Sequence, residues 1–179
     1  MSEQPPSPRK RGGATSAVHG GELRQQEANA ITTPIYQTST FWFKNSDEVI
    51  EYQEGRKERE EYGRYGNPTW NAVERKLSEL EGGEETVLFA SGMCAATTTF
   101  LSMLKPGSHL IVTSDCYRRT RQFINEYLGP MGVETTVIEP ANVEAFEAAI
   151  RKETVIFFTE SPTNPYLRVI DVPEAVRCA

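Results

Sequence analysis

An α/β fold with a mostly parallel, doubly wound sheet is what this sequence predicts, and three observations predict it. From Thr86 to Glu160, short apolar or β-branched runs alternate with longer runs of helical pattern. Pro106-Gly107, Gly129-Pro130 and Gly132 punctuate the changes, and 179 residues suffice for one domain with a real core. Strand, helix and strand repeated at this spacing imply parallel neighbours. Crossovers joining such strands are nearly always right-handed, which restricts the topology to a doubly wound layout.

The elements follow in chain order. Residues 1–30 are polar and carry Gly and Pro, and are expected to form an arm, disordered in part. The basic cluster Arg9-Lys10-Arg11 sits beside Pro5, Pro6 and Pro8 and reads as a solvated tail. Thr33 to Phe43 is apolar and β-branched but interrupted by Pro34, so it reads as extended. Ser46 to Glu60 has a helical pattern so charged that it is expected to be exposed or mobile. Asn67 and Pro68 open a helix that runs to Glu81, and Gly82-Gly83 closes it as a glycine cap does. Strands are expected at Thr86–Ala90, Leu110–Ser114, Glu134–Glu139 and Val155–Glu160. Helices are expected at Met93–Leu104, Arg118–Leu128 and Val143–Lys152, the last starting at Asn142.

Composition excludes several function classes. A net charge of -6 and a pI near 5.1 argue against a general nucleic-acid binder. No apolar run approaches the ~20 residues of a membrane-spanning helix. The cysteines, Cys94, Cys116 and Cys178, have no metal-like spacing, and no signal-peptide pattern opens the chain. A reducing compartment, the cytoplasm, is therefore expected, with a plastid left open. With only His19 and His109 available, a histidine metal cage or triad is hard to build, and no metal site is expected.

In open parallel sheets, ligands bind beyond the carboxyl ends of the strands. Ser91-Gly92-Met93 follows the first expected strand, Asp115-Cys116-Tyr117 the second, and Ser161-Pro162-Thr163-Asn164-Pro165 the fourth. Gly92 opening a helix exposes backbone N–H groups and the positive end of the helix dipole, which suits a phosphate. The plainer alternative is that Ser91 caps the helix and Gly92 permits tight packing. Arg64 with Tyr62 supplies a bidentate donor and a hydroxyl for the same anion; otherwise they are ordinary surface side chains in a Gly-rich loop. Tyr117 can stack on a flat ring or pack as a helix-start aromatic. Asn164, between two prolines, can grip a carboxylate or ring oxygen or complete a turn. A Gly-x-Gly-x-x-Gly turn is missing after the first strand, which weakens a nucleotide-binding reading.

These residues resemble the Cys/Met-metabolism family of pyridoxal-phosphate enzymes. The likeness rests on Thr33-Pro34-Ile35-Tyr36-Gln37-Thr38-Ser39, Tyr62-Gly63-Arg64-Tyr65-Gly66-Asn67-Pro68-Thr69 and Leu80-Glu81-Gly82-Gly83. It continues through Ala90-Ser91-Gly92-Met93, Asp115-Cys116-Tyr117 and Glu160-Ser161-Pro162-Thr163-Asn164-Pro165. Asp115-Cys116-Tyr117-Arg118-Arg119-Thr120-Arg121 is most similar to the plant-type cystathionine γ-synthase branch.

The resemblance implies the large domain of the aspartate-aminotransferase-like fold (fold type I) and pyridoxal 5'-phosphate as cofactor. It implies that Tyr62 and Arg64 reach the cofactor phosphate of a neighbouring protomer, while Gly92 and Met93 offer backbone amides to their own. Tyr117 would stack on the pyridine ring and act at the catalytic centre, and Asn164 would contact the ring-oxygen or substrate-carboxylate region. The implied organisation is an arm at 1–30, a segment at 31–68 serving the neighbour's site, and a partial cofactor-binding domain at 69–179. The implied reaction replaces the γ-leaving group of an activated homoserine ester by cysteine, in a homo-oligomer acting on small amino acids without nucleic acid or membrane. The γ-lyase, β-lyase and homoserine sulfhydrylase branches share these motifs.

The resemblance also implies a ring-nitrogen aspartate and a Schiff-base lysine in a Ser/Thr-rich motif. Both are expected beyond residue 179. Lys10, Lys44, Lys57, Lys76, Lys105 and Lys152 stand in no such motif, and Asp171 precedes the position expected of the aspartate. The chain by itself is therefore expected to be an incomplete, inactive fragment, or alternatively a non-catalytic module that pairs with full-length subunits.

Overall fold

The computed structural model of the chain describes residues 12–23, 26–140 and 143–178. The cluster Arg9-Lys10-Arg11 and the helix start at Asn142 lie outside the described residues. Two units, Met1–Leu88 and Phe89–Ala179, gather their own contacts. The boundary between the units follows Leu88. No helix among the described residues is long and apolar enough to cross a membrane.

In the first unit, the expected arm is helical in part. Helix α1 (Gly13–His19) and the turn after it dock on α3 (Pro68–Glu81): Ser16 Oγ donates to Glu79 Oε1 (3.1 Å), Gly21 N–H to Glu79 Oε2 (3.1 Å), and Lys76 Nζ to Val18 O (2.8 Å). Gly21 has φ +66°, and a Cβ there would stand 2.5 Å from the Lys76 amide, so this close approach requires glycine. Helix α3 begins and ends as its sequence signals dictate. Asn67 Oδ1 accepts from Thr69 N–H (2.9 Å), Pro68 takes the first turn, and Gly82 closes the helix at φ 68°. The Asn67 amide also donates to Tyr36 O (2.9 Å), which tethers the extended 33–43 segment to α3.

The charged segment at Ser46–Glu60 is only half helical. Helix α2 (Ser46–Gln53) stops where Gly55 adopts φ +69°, and the rest is turns. Nor is it all exposed, because Glu48 is buried. The extended run then returns antiparallel: Thr40 bridges Tyr62, Phe41 N–H donates to Glu61 O (2.9 Å) and Gly63 N–H to Ser39 O (2.8 Å).

In the second unit, α4 (Gly92–Met103), β1 (His109–Thr113), α5 (Arg118–Phe123), β2 (Glu134–Ile138), α6 (Val143–Ala149), β3 (Thr154–Phe158) and α7 (Val172–Cys178) alternate. Among the described residues the sheet has three parallel strands in the order β2-β1-β3. Strand β1 is central and buried throughout, because apolar clusters cover both faces. Leu110 and Val112 point to one face, with Phe100, Leu104, Ile124 and Leu128. Ile111 points to the other, with Ile138, Phe146 and Ile170, as the strand period of two requires. Phe100 meets Phe158 edge-on at 5.1 Å, and Phe146 stacks on Phe157 at 4.1 Å.

Two expectations are corrected here. Thr86–Ala90 forms no strand and pairs with none among the described residues. Leu88 N–H instead donates to Glu74 Oε1 of α3 (2.8 Å). Apolar alternation specifies an extended backbone, whereas a ladder needs a neighbour. The helix expected over Arg118–Leu128 is α-helical only to Phe123. Ile124–Leu128 form a π turn that buries Ile124 and Leu128, and Gly129 N–H closes it on Ile124 O.

His109 locks the amino edge of the sheet. Its buried ring shares hydrogen bonds with Thr154 of β3 and Thr136 of β2, both 2.8 Å, and Arg151 donates to both hydroxyls. Burial first, and then Arg151, lower its pKa below 6.5, while Glu134 and Glu153 pull the other way. The unfolded chain therefore takes up this proton more readily than the folded one. The stability tied to a neutral ring is present above the unfolded value near 6.5 and is lost as pH falls through it. The urea midpoint of the parent chain is expected to drop between about pH 7 and about pH 5, with a smaller drop in His109→Gln. Equal drops in both proteins would remove His109 as the cause.

Candidate functional site

The carboxyl edge of the sheet gathers most of the expected residues. Strand β1 ends at Thr113, and the chain turns through Ser114, Asp115, Cys116 and Tyr117 into α5. Tyr117 N–H donates to Glu160 Oε1 (2.9 Å), which joins the loop leaving β1 to the loop leaving β3. The Tyr117 side chain is half exposed, at 47%. Arg121 reaches back and donates to Ser114 O (2.6 Å), bracing the same turn from α5.

Helix α4 brings Gly92 and Met93 to this edge. Ser91 Oγ caps the helix by accepting from Cys94 N–H (3.1 Å), so the capping half of the plainer alternative is seen, while no described residue packs tightly on Gly92. The cap does not exclude a ligand, since a twelve-residue helix leaves several first-turn N–H groups without an intrahelical acceptor. Gly92 is exposed, and a Cβ there would meet nothing within 4 Å. Thr120 Oγ1 lies 3.5 Å from Met93 Sδ, which ties the first turn of α4 to α5 close to Tyr117.

Asn164 stands exposed in the loop after β3, where the Ser161–Pro162 and Asn164–Pro165 peptides are cis. The loop is folded on buried Thr163, whose N–H donates to Arg168 O (2.9 Å) and whose hydroxyl accepts from Arg168 N–H (3.1 Å). Asn164 lines a cleft of about 760 Å³ with Ser114, Asp115, Arg118 and Tyr166. The loops that carry Tyr117 and Asn164 thus leave paired strands at the same end of the sheet, and Met93 reaches α5 at Thr120, but neither Met93 nor Tyr117 lines the cleft beside Asn164. In the N-terminal unit, Arg64 lies with its guanidinium carbon 5.0 Å from the Tyr62 ring centre and 5.5 Å from that of Tyr65.

Two residues of this edge had no role assigned from the sequence. Glu160 was legible only as part of a motif, although it holds the Tyr117 amide. Asp115 is 9% exposed, and neither carboxylate oxygen has a hydrogen-bond partner among the described residues. Between them, Cys116 is no nucleophile. Burial, and next the Glu160 carboxylate, push its thiol up to about 11, so it stays protonated at neutral pH.

The model of the Cys/Met metabolism PLP-dependent enzyme family matches residues 14–179. The chain belongs to the Cys/Met metabolism PLP-dependent enzymes. Cystathionine gamma-synthase 1, chloroplastic, of Nicotiana tabacum is 50% identical over 159 residues, which cover 87% of this chain and 29% of that protein. L-methionine gamma-lyase of Pseudomonas putida is 34% identical over 168 residues, covering 94% of this chain and 42% of its own length. The crystal structure of metB from Corynebacterium glutamicum matches with a TM-score of 0.82 at 34% identity, covering 94% of this chain and 42% of that one. The chain therefore spans well under half of each relative. The α/β architecture, with its parallel sheet, is that of this family of cofactor-dependent enzymes.

Proposed function

We propose that this chain binds pyridoxal phosphate at the carboxyl edge of the sheet and serves transsulfuration, the replacement by cysteine of the γ-substituent of an activated homoserine ester. The observation that carries the reading is that the open first turn of α4 touches α5 through Met93 and Thr120, three positions from the half-exposed Tyr117, whose amide is held by Glu160 in the loop that leads to Asn164. The donor set fits a flat ring bearing a phosphate. Open space faces Gly92 beside first-turn amides, and an aromatic wall stands on the neighbouring loop.

When bound, pyridoxal phosphate supplies an electron sink for reactions at an amino acid. The protein's own part is to bind and orient. Gly92 and Met93 amides hold a phosphate, Tyr117 sets the plane of the ring, and Asn164 receives a ring oxygen or a substrate carboxylate. Glu160 fixes the Tyr117 backbone, and the protonated Cys116 thiol stays out of the chemistry. Tyr62 and Arg64 serve the phosphate of a neighbouring copy in a homo-oligomer. The synthase reaction is favoured over a lyase by the 50% identity with the tobacco protein against 34% with the Pseudomonas lyase. The chloroplastic location in the tobacco protein's name supports a plastid beside the expected cytoplasm.

Calorimetric titration with pyridoxal phosphate and with pyridoxal, which lacks the phosphate, tests the reading. Charge-assisted hydrogen bonds to the phosphate are expected to make the first ligand bind about tenfold more tightly or better. Equal affinities would sink the phosphate site.

A further inference from the structure

Ten residues from Asp47 to Glu61 are charged, and most of that segment lies in solvent; Glu48 is the exception at 8% exposure. Burying a carboxylate is costly unless partners replace its water. Glu48 has three. Its Oε2 accepts from Lys44 N–H (2.7 Å) and lies 2.9 Å from Arg59 Nη1, and its Oε1 accepts from Lys57 Nζ (2.8 Å). The Lys44 amide first, and then the Lys57 ammonium, lower its pKa to about 2, so it is charged throughout the neutral range.

Arg59 is the partner that carries this charge into the backbone. Nη2 donates to Trp42 O (2.8 Å), Nε to Glu60 O (3.1 Å), and the guanidinium carbon lies 4.1 Å from the Phe43 ring centre. One planar group thus holds a carboxylate, two carbonyls on opposite chain segments and an aromatic face, which an ammonium cannot do at once. These contacts stand at the root of the antiparallel pair formed by residues 39–41 and 61–63, which presents Tyr62 and Arg64. An isolated two-stranded pair is marginal in water, so its geometry depends on what fastens its root.

We propose that Glu48 is a positioning residue which, through Arg59, sets the backbone of the Tyr62–Arg64 turn for binding a phosphate. The proposal rests on reading Tyr62 and Arg64 as phosphate ligands, and its test separates the two ideas. In Glu48→Gln the amide keeps the volume but turns donors toward Arg59 and Lys57. Arg59→Lys keeps the charge and loses the fork.

The test is hydrogen exchange at the Phe41 and Gly63 amides of the whole chain, together with affinities for pyridoxal phosphate and pyridoxal. Both variants are expected to speed exchange at these two amides by about tenfold, with Ile111 and Val112 of β1 unchanged as the control for folding. Both are also expected to weaken pyridoxal phosphate several-fold relative to pyridoxal. Unchanged exchange at Phe41 and Gly63 overturns the proposal. So does full pyridoxal phosphate affinity in Glu48→Gln when Arg64→Ala loses it. If Arg64→Ala binds pyridoxal phosphate as the parent does, the phosphate reading has failed, and the exchange rates alone decide whether Glu48 orders the turn.

Discussion

Gly92→Val is expected to fold like the parent chain and to bind pyridoxal phosphate about 10–100-fold more weakly, the loss of one to two charge-assisted hydrogen bonds. The added Cβ meets nothing within 4 Å, so the protein itself does not resist the substitution. The isopropyl group would instead occupy the space before the first-turn amides of α4, where a phosphate must come close. Matched melting curves with a lost preference for pyridoxal phosphate over pyridoxal would bear this out. Undiminished affinity would remove the α4 start from the site.

Phe100→Ala is expected to cost the second unit about 3–5 kcal/mol, a large part of the stability of an ordinary domain. Phe100 is fully buried and packs with Leu104, Leu110, Val112, Ile124 and Leu128, and edge-on to Phe158. Removing the ring opens a cavity between α4 and β1, the same helix whose start faces the candidate ligand. Urea unfolding followed by circular dichroism measures the loss, with exposed Val137→Ala as a control expected to stay within about 0.5 kcal/mol. A loss below about 1 kcal/mol for Phe100→Ala would mean that this cluster does not hold the sheet.

Much of this architecture was legible wherever the cause is local. Asn67, Pro68 and Gly82 bound α3 because a cap and a left-handed closure need only nearby residues. Strands β1, β2 and β3 were legible within a residue or two of their ends because β-branched and apolar runs there lie between turn signals and helical patterns. Thr86–Ala90 has the same local character, yet pairing is set by a distant neighbour that the run itself does not encode. Helix α1 was missed for a related reason. Its polar, glycine-bearing sequence is a poor helix on its own, and Glu79, far along the chain, anchors it.

The site divides in the same way. The placement of Tyr117 and Asn164 in loops at the carboxyl end of the sheet was legible because strand ends converge in a parallel sheet, a rule of topology. Glu160 and Asp115 were not, because a carboxylate's role depends on which amide another loop brings to it. Glu48 looked like one more solvated charge in an acidic run until its three partners were in view.

The bond from the Tyr117 amide to Glu160 has a mechanical corollary. It works as a crossbar between the two loops, so a tug on Asn164, four positions past the carboxylate, is passed to the aromatic plate whose own amide that carboxylate holds. Grip on an incoming molecule and tilt of that plate become one degree of freedom.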